Sequence, residues 1–247
     1  MWNQLKLTRE LYNAGLEELI VHYKTTGKHL NLLAQDKNHG TKEHPEIAAV
    51  LVDTTLKRLH QSFSSFFGRC KEGAIKKGFP RFKAPNRWHS LQFRDAKTNG
   101  IGDAYFCAPR AMGGRIRFNG HRDIQGIIKF CRVLSKPSGW ILQVVCQRQP
   151  ELLPKTGKSI GLDFGIKDLV SDSAGGKVGN PIHLKRWLGK LRVAQRRISG
   201  RSKGSRRGKK ACRIAARIHE KISNQRRDYI SAQEGASVCR RLRQDIS

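Results

Sequence analysis

Residues 159–167 read Ser159-Ile160-Gly161-Leu162-Asp163-Phe164-Gly165-Ile166-Lys167, a short apolar run carrying one carboxylate near its end. The run at 160–166 reads as a short buried strand and follows the polar stretch PELLPKTGK at 150–158, which reads as a linker. Downstream, Leu169–Asp172, Gly175-Gly176 and Lys177-Val178 read as a strand, a turn and a strand. A long helical pattern follows, with Leu184, Trp187, Leu188, Leu191, Ile198, Ile214, Ile218 and Ile222 on it. The stretch SGRSKGSRRG at Ser199–Gly208 interrupts that pattern and predicts a helical hairpin. From Ser173 to His219 there are 15 Lys and Arg and no acidic residue. Helical i,i+4 pairs cannot neutralise such a segment internally, whereas phosphates can.

The whole chain shows the same bias. Its 247 residues include 49 Lys+Arg against 19 Asp+Glu, a formal charge of +30. Self-repulsion on this scale calls for a polyanionic partner. No run of about 18 apolar residues is present, so the sequence predicts no membrane span and points to nucleic acid. The six cysteines, Cys70, Cys107, Cys131, Cys146, Cys212 and Cys239, lie far apart with no C-x2-C pair. Free thiols in a cytoplasmic, nucleoid-associated protein are expected, and no zinc.

Upstream of the linker the pattern changes twice. From Thr8 to about Lys24, apolar residues Leu11, Tyr12, Leu16, Leu19, Ile20 and Tyr23 recur at helical spacing, with Thr8 as the N-cap. Leu30, Leu32 and Leu33 suggest a short helix. Pro45 then suits a first helical position, and Val52, Leu56, Leu59, Phe63, Phe66 and Phe67 extend a second stripe to about Cys70. After Gly73 the chain becomes β-rich: runs at Ser90–Phe93, Arg115–Phe118, Ile124–Phe130 and Trp140–Gln147 are separated by Gly, Pro, Asn and Asp. The expected architecture is α+β in three parts: a helical unit (1–72), a small β-barrel or curled sheet (73–150), and a third part (151–247) with the basic hairpin.

Two motifs mislead. Gly157-Lys158-Ser159 resembles the end of a P-loop, but the glycine that motif needs five residues earlier is replaced by Leu152. His121-Arg122-Asp123 followed by Asp163-Phe164-Gly165 mimics a kinase, yet Ile128 or Lys129 stands where the magnesium-binding Asn belongs.

Five further motifs occur in one order. They are Leu11-Tyr12-Asn13-Ala14-Gly15-Leu16; Phe66-Phe67 and Arg69 with Gly78-Phe79-Pro80-Arg81-Phe82-Lys83 and Ser90-Leu91-Gln92-Phe93; and His121-Arg122 with Gly126 and Ile128-Lys129. Then come Gly161-Leu162-Asp163-Phe164-Gly165 and, last, Arg196-Arg197 with Arg217, His219, Lys221, Asn224, Arg226 and Asp228. Over about Leu7 to Tyr229 the sequence resembles TnpB (OrfB-type), the transposon-encoded RNA-guided DNA nuclease family.

The resemblance implies that 1–72 is a helical recognition unit, that 73–150 is a wedge-like (OB-like) barrel, and that 151–247 is an incomplete RNase H-like (RuvC) α/β domain. It implies that Asp163 occupies a Mg2+-ligand position of a two-metal endonuclease, in which carboxylates on adjacent strands hold both ions. It also implies a guide RNA and a double-stranded DNA target as partners. Arg81, Lys83, Arg87, Arg196, Arg197, Arg206 and Arg207 are then the expected phosphate or RNA contacts. Phe79 and Phe82 stack on bases or belong to the core. The sequence departs from the family after Tyr229: the later Glu-bearing strand, the zinc ribbon and the last Asp are not found, and Glu234 lies in the wrong place. It also starts at Trp2-Asn3-Gln4 without the family's first strand. The expectation is a chain truncated at both ends, frameshifted near residue 237, that binds nucleic acid but cuts poorly or not at all. The alternatives are an active Mg2+-dependent endonuclease whose missing carboxylates come from another chain, and a non-functional decay product.

Overall fold

The computed structural model describes residues 1–94, 100–102, 104–121, 123–149, 159–173 and 175–229. The linker at 150–158, Arg122, Cys239 and the tail from 230 lie outside the described residues. The chain divides into two compact units, 1–150 and 151–247.

In the first unit, helices α1 (Trp2–Thr26), α2 (Leu32–His39) and α3 (Ala49–Lys71) pack with strands β1 (Ser90–Phe93), β2 (Tyr105–Cys107), β3 (Arg115–Arg117), β4 (Ile127–Lys136) and β5 (Gly139–Gln147). The helices form where the stripes predict, but both starts differ. Helix α1 begins at Trp2, so Thr8 is interior rather than an N-cap. Its buried hydroxyl donates back to the Gln4 carbonyl at 2.7 Å and accepts from Trp88 Nε1 at 3.0 Å. Pro45 lies in the turn before α3, which starts at Ala49. Gln4 replaces a local cap: its side chain accepts from Ala48 N at 3.1 Å and donates to the Glu46 carbonyl at 2.7 Å.

Leu16, Leu56 and Leu59 are fully buried where α1 crosses α3. The crossing is tight at Gly15, where a Cβ would meet Leu59 Cδ2 at 3.1 Å and Gln35 Nε2 at 3.2 Å. Gln35, itself fully buried, ties three helices together. It donates to the Gly15 carbonyl at 2.8 Å and Glu18 Oε2 at 2.9 Å, and its Oε1 bonds His60 Nε2 at 2.8 Å. Burial lowers the pKa of His60 and of its neighbour His29 from the usual 6.5.

The strands lie in an antiparallel sheet of order β1-β4-β5 and a hairpin β2-β3. Phe93 and Phe106 join them edge to face at 5.1 Å. Leu91, Phe93, Cys131 and Val133 share one core with the buried faces of α1 and α3. Strand β4 starts at Ile127 rather than Ile124, because Gly126 takes φ 91° and its Cα side lies against the Gln147 carbonyl, where only glycine fits. Of the two arrangements the sequence suggested, a small barrel or a curled sheet, the described strands form open sheets and no closed barrel.

In the second unit, β6 (Leu162–Asp163), β7 (Asp168–Asp172) and β8 (Lys177–Gly179) make an antiparallel sheet of order β6-β7-β8. The predicted buried strand over 160–166 is a two-residue edge strand, with Phe164 73% and Ile166 93% exposed. Helices α4 (His183–Ser199) and α5 (Arg206–Asp228) form the hairpin. Trp187 Nε1 donates to Gln225 Oε1 at 2.9 Å near its open end, and Val193 and Ala194 line a groove with Ile214 and Ile218 nearer the turn, so the helices run antiparallel. Small buried residues, Ala194, Ala211 and Ala215, allow the close approach.

Candidate nucleic-acid interface

Between α3 and the short 3-10 turn Pro85–Arg87, residues 74–84 run as an irregular strap without ladder hydrogen bonds. Glycine and proline explain the irregularity: Gly78 takes φ 64°, and Pro80 donates no hydrogen bond and is buried. Helices hold the strap from beneath. Arg69 Nε donates to the Lys77 carbonyl at 2.6 Å and its Nη2 to the Gly78 carbonyl at 3.1 Å. Asn13 of α1 donates to the Lys83 carbonyl at 3.1 Å and accepts from Lys83 N at 2.7 Å. The strap's shape is therefore set by α1 and α3.

The strap and the helices under it enclose a groove of about 460 Å³, whose lining includes Arg69, Phe79, Arg81, Phe82, Lys83 and Arg87. Three expected contact residues, Arg81, Lys83 and Arg87, thus meet in one place. Phe82 is 54% exposed and Phe79 48% exposed, although Phe79 rests edge-on against Phe63 and Phe66 at 5.6 and 5.3 Å. The sequence left these rings between stacking and core. Phe82 offers an open face, and Phe79 is anchored on one side and open on the other. Lys83 Nζ lies 5.4 Å from the Tyr12 ring centroid. Arg81 and Arg87 are exposed and make no ion pair among the described residues. Cations beside exposed rings suit a phosphodiester strand with unstacked bases.

In the second unit, Arg196 and Arg197 occupy the last turn of α4, and Arg206 and Arg207 the first turn of α5. All four are exposed at the hairpin turn. The first pair complements the negative C-terminal end of α4, whereas the second opposes the positive N-terminal end of α5. Ser205 caps α5 by accepting from Gly208 N at 2.9 Å. Lys190 and Lys221 lie 4.9 and 4.7 Å from the Trp187 ring centroid, on a helix pair carrying further exposed cations.

Asp163 stands on edge strand β6, exposed, paired across the ladder with Ser171. The neighbouring carboxylate Asp172 is paired with Leu162, on the other face of the ladder, and accepts from Gly176 N at 2.6 Å. Among the described residues no three His, Cys, Asp or Glu side chains gather to hold a metal ion. A two-metal site needs several carboxylates on one face. These residues by themselves do not fit one. Arg69, which shapes the strap, went unnoticed as a site residue in the sequence; its spacing to Gly78 was the available signal.

The comparisons with known proteins agree with the motif order. The OrfB_IS605 family model, described as a probable transposase, matches residues 143–242 and so runs past Tyr229, where the quoted motifs end. The chain is 28% identical over 199 residues to a Streptomyces pristinaespiralis protein named "Putative RNA-guided DNA endonuclease", covering 75% of this chain and 45% of that protein. It is 25% identical over 178 residues to an Escherichia coli (strain K12) protein named "Putative RNA-guided DNA endonuclease InsQ", covering 71% of this chain and 42% of that protein. The chain therefore spans less than half the length of these curated relatives. The family-model match and these relatives support the resemblance to the TnpB (OrfB_IS605) family that the motif order carries.

Proposed function

We propose that this chain is a transposon-associated, RNA-guided DNA-binding protein that holds a guide RNA and a double-stranded DNA target. The observation that carries this reading is the strap groove, where Arg81, Lys83 and Arg87 line one surface with the exposed rings of Phe79 and Phe82. The acid-free hairpin supplies a second phosphate-binding surface, suited to the backbone of a guide–target duplex whose sequence is read by base pairing. No described helix is long and apolar enough to cross a membrane. The cytoplasm, at the nucleoid, is the compartment where such a protein would meet both partners. On this reading 1–72 recognises nucleic acid, 73–150 is the counterpart of the family's wedge, and 151–247 is a partial RuvC domain.

The chain is also proposed to cleave DNA poorly. Asp163 is its one carboxylate at a family metal position, and a single carboxylate does not hold two Mg2+ ions. The relatives' names favour a second reading, an active Mg2+-dependent endonuclease. Purifying the chain from cells and sequencing any bound RNA tests the binding reading. A defined co-purifying RNA is expected, and recovery without nucleic acid would contradict it. Adding that RNA, a matching DNA duplex and Mg2+ decides between the two readings. No cutting is expected; cutting that Asp163→Ala abolishes would establish the endonuclease.

A further inference from the structure

Arg58 projects from α3 into the seam between that helix and β1. Its guanidinium lies over the Trp88 ring, 4.2 Å from the centroid, and donates to the Ser90 carbonyl at 3.0 Å and the Ser90 hydroxyl at 3.3 Å. On the next strand, Arg132 stands opposite Gln92, donates through Nε to Gln92 Oε1 at 3.1 Å, and lies over Phe130 at 4.8 Å. Ser90 and Gln92 are two residues apart on β1 and share a face, so both guanidiniums are tethered to one row of the sheet. Arg94 continues that row and pairs with Asp53 at 3.0 Å. Asp53 also pairs with Lys57, so the carboxylate of this row is already shared between two other cations.

Neither tethered guanidinium makes an ion pair with a carboxylate among the described residues. Burial and the nearby Arg132 lower the Arg58 pKa to about 10. Burial first, and then the like charge of Arg132, disfavour the charged guanidinium in the free protein. An anion between them reverses the sign of that interaction, and the Nη groups of Arg132 make no hydrogen bond among the described residues that would compete.

The pair also adjoins the strap. Lys83 lies over Tyr12, Tyr12 packs on Trp88 at 5.0 Å between centroids, and Arg58 covers Trp88, so cations and rings alternate from the groove to the sheet. We propose that a phosphodiester of a bound nucleic-acid strand closes the Arg58–Arg132 pair, so that a strand in the strap groove continues along the α3–β1 seam. The inference rests on the nucleic-acid-binding reading above and adds a site to it.

The test uses the full chain, a fluorescently labelled single-stranded RNA and a labelled DNA duplex, with binding followed by anisotropy over a KCl series. Arg132→Gln removes the charge while keeping a donor for Gln92. It is expected to weaken binding of at least one probe severalfold and to reduce its salt slope by about 0.7–0.9, one phosphate contact. The melting temperature of the free chain should stay level or rise, because a like-charge contact is gone. Arg132→Lys should recover most of the slope. Loss confined to RNA assigns the seam to the guide, and loss confined to the duplex assigns it to the target. Unchanged affinity and slope for both probes overturn the site, as does a loss of binding that only tracks a fall in melting temperature. If the unaltered chain binds neither probe, this site and the proposed function both fail.

Discussion

The strap of the first unit and the hairpin of the second both present arginines, but they hold them differently. In the strap, backbone carbonyls are fixed by Arg69 and Asn13, and rings lie between the cations. The hairpin is two amphipathic helices whose buried stripe is narrow and whose cations face outward. The strap is thus a shaped site and the hairpin a charged surface. A shaped site can prefer particular bases or strand geometry, whereas a charged surface binds backbone and depends steeply on salt.

Variants in the first unit should break the strap without touching the hairpin. Leu59→Ala removes a fully buried side chain beneath Gly15 and should cost about 2–5 kcal/mol, read by chemical denaturation. A loss well below that range would mean that the α1–α3 crossing does not carry the unit's core.

Phe82→Ala should leave melting nearly unchanged, since the ring is 54% exposed. Binding of single-stranded RNA should nevertheless weaken by about 1–3 kcal/mol per stacked base, with the salt slope preserved. A changed slope with unchanged affinity at low salt would assign the strap to phosphate alone.

The hairpin has its own weak point. Ile182, immediately before α4, adopts φ 44°, a left-handed conformation that is costly for a β-branched residue. Ile182→Gly should relieve roughly 1 kcal/mol of that strain, stabilising the second unit in thermal melts. The smallest effect is one of pH. His29 and His60 have pKa values below 6.5, so the folded first unit takes up protons less readily than the unfolded chain. Its stability should be full above about pH 6.5 and should fall as pH drops through the lower folded values. His60→Gln should flatten that decline.

The same contrast explains what the sequence made legible. The hairpin could be read because helical period and charge are local properties, and its turn falls where SGRSKGSRRG predicted. The stripes of α1 and α3 were legible for the same reason. Their starts were not: Thr8 and the α3 N-terminus are satisfied by Trp88 and Gln4, partners far away in sequence. The 160–166 run read as a buried strand because apolar composition does not tell an edge strand from an interior one. Arg81 and Lys83 could be singled out within a motif, and Arg87 between two of its segments. Arg58 and Arg132 could not, since only the pairing of β1 with β4 brings them to one row.

The central claim is that binding has two physically distinct parts, and the salt dependence of RNA affinity tests it most directly. With Arg196, Arg197, Arg206 and Arg207 all changed to Gln, the salt slope should fall by about 3, at about 0.7 per lost contact on a single strand. The Phe79→Ala, Phe82→Ala double variant should lose affinity at every salt concentration with its slope intact. Equal slopes for the hairpin variant and the unaltered chain would contradict the account.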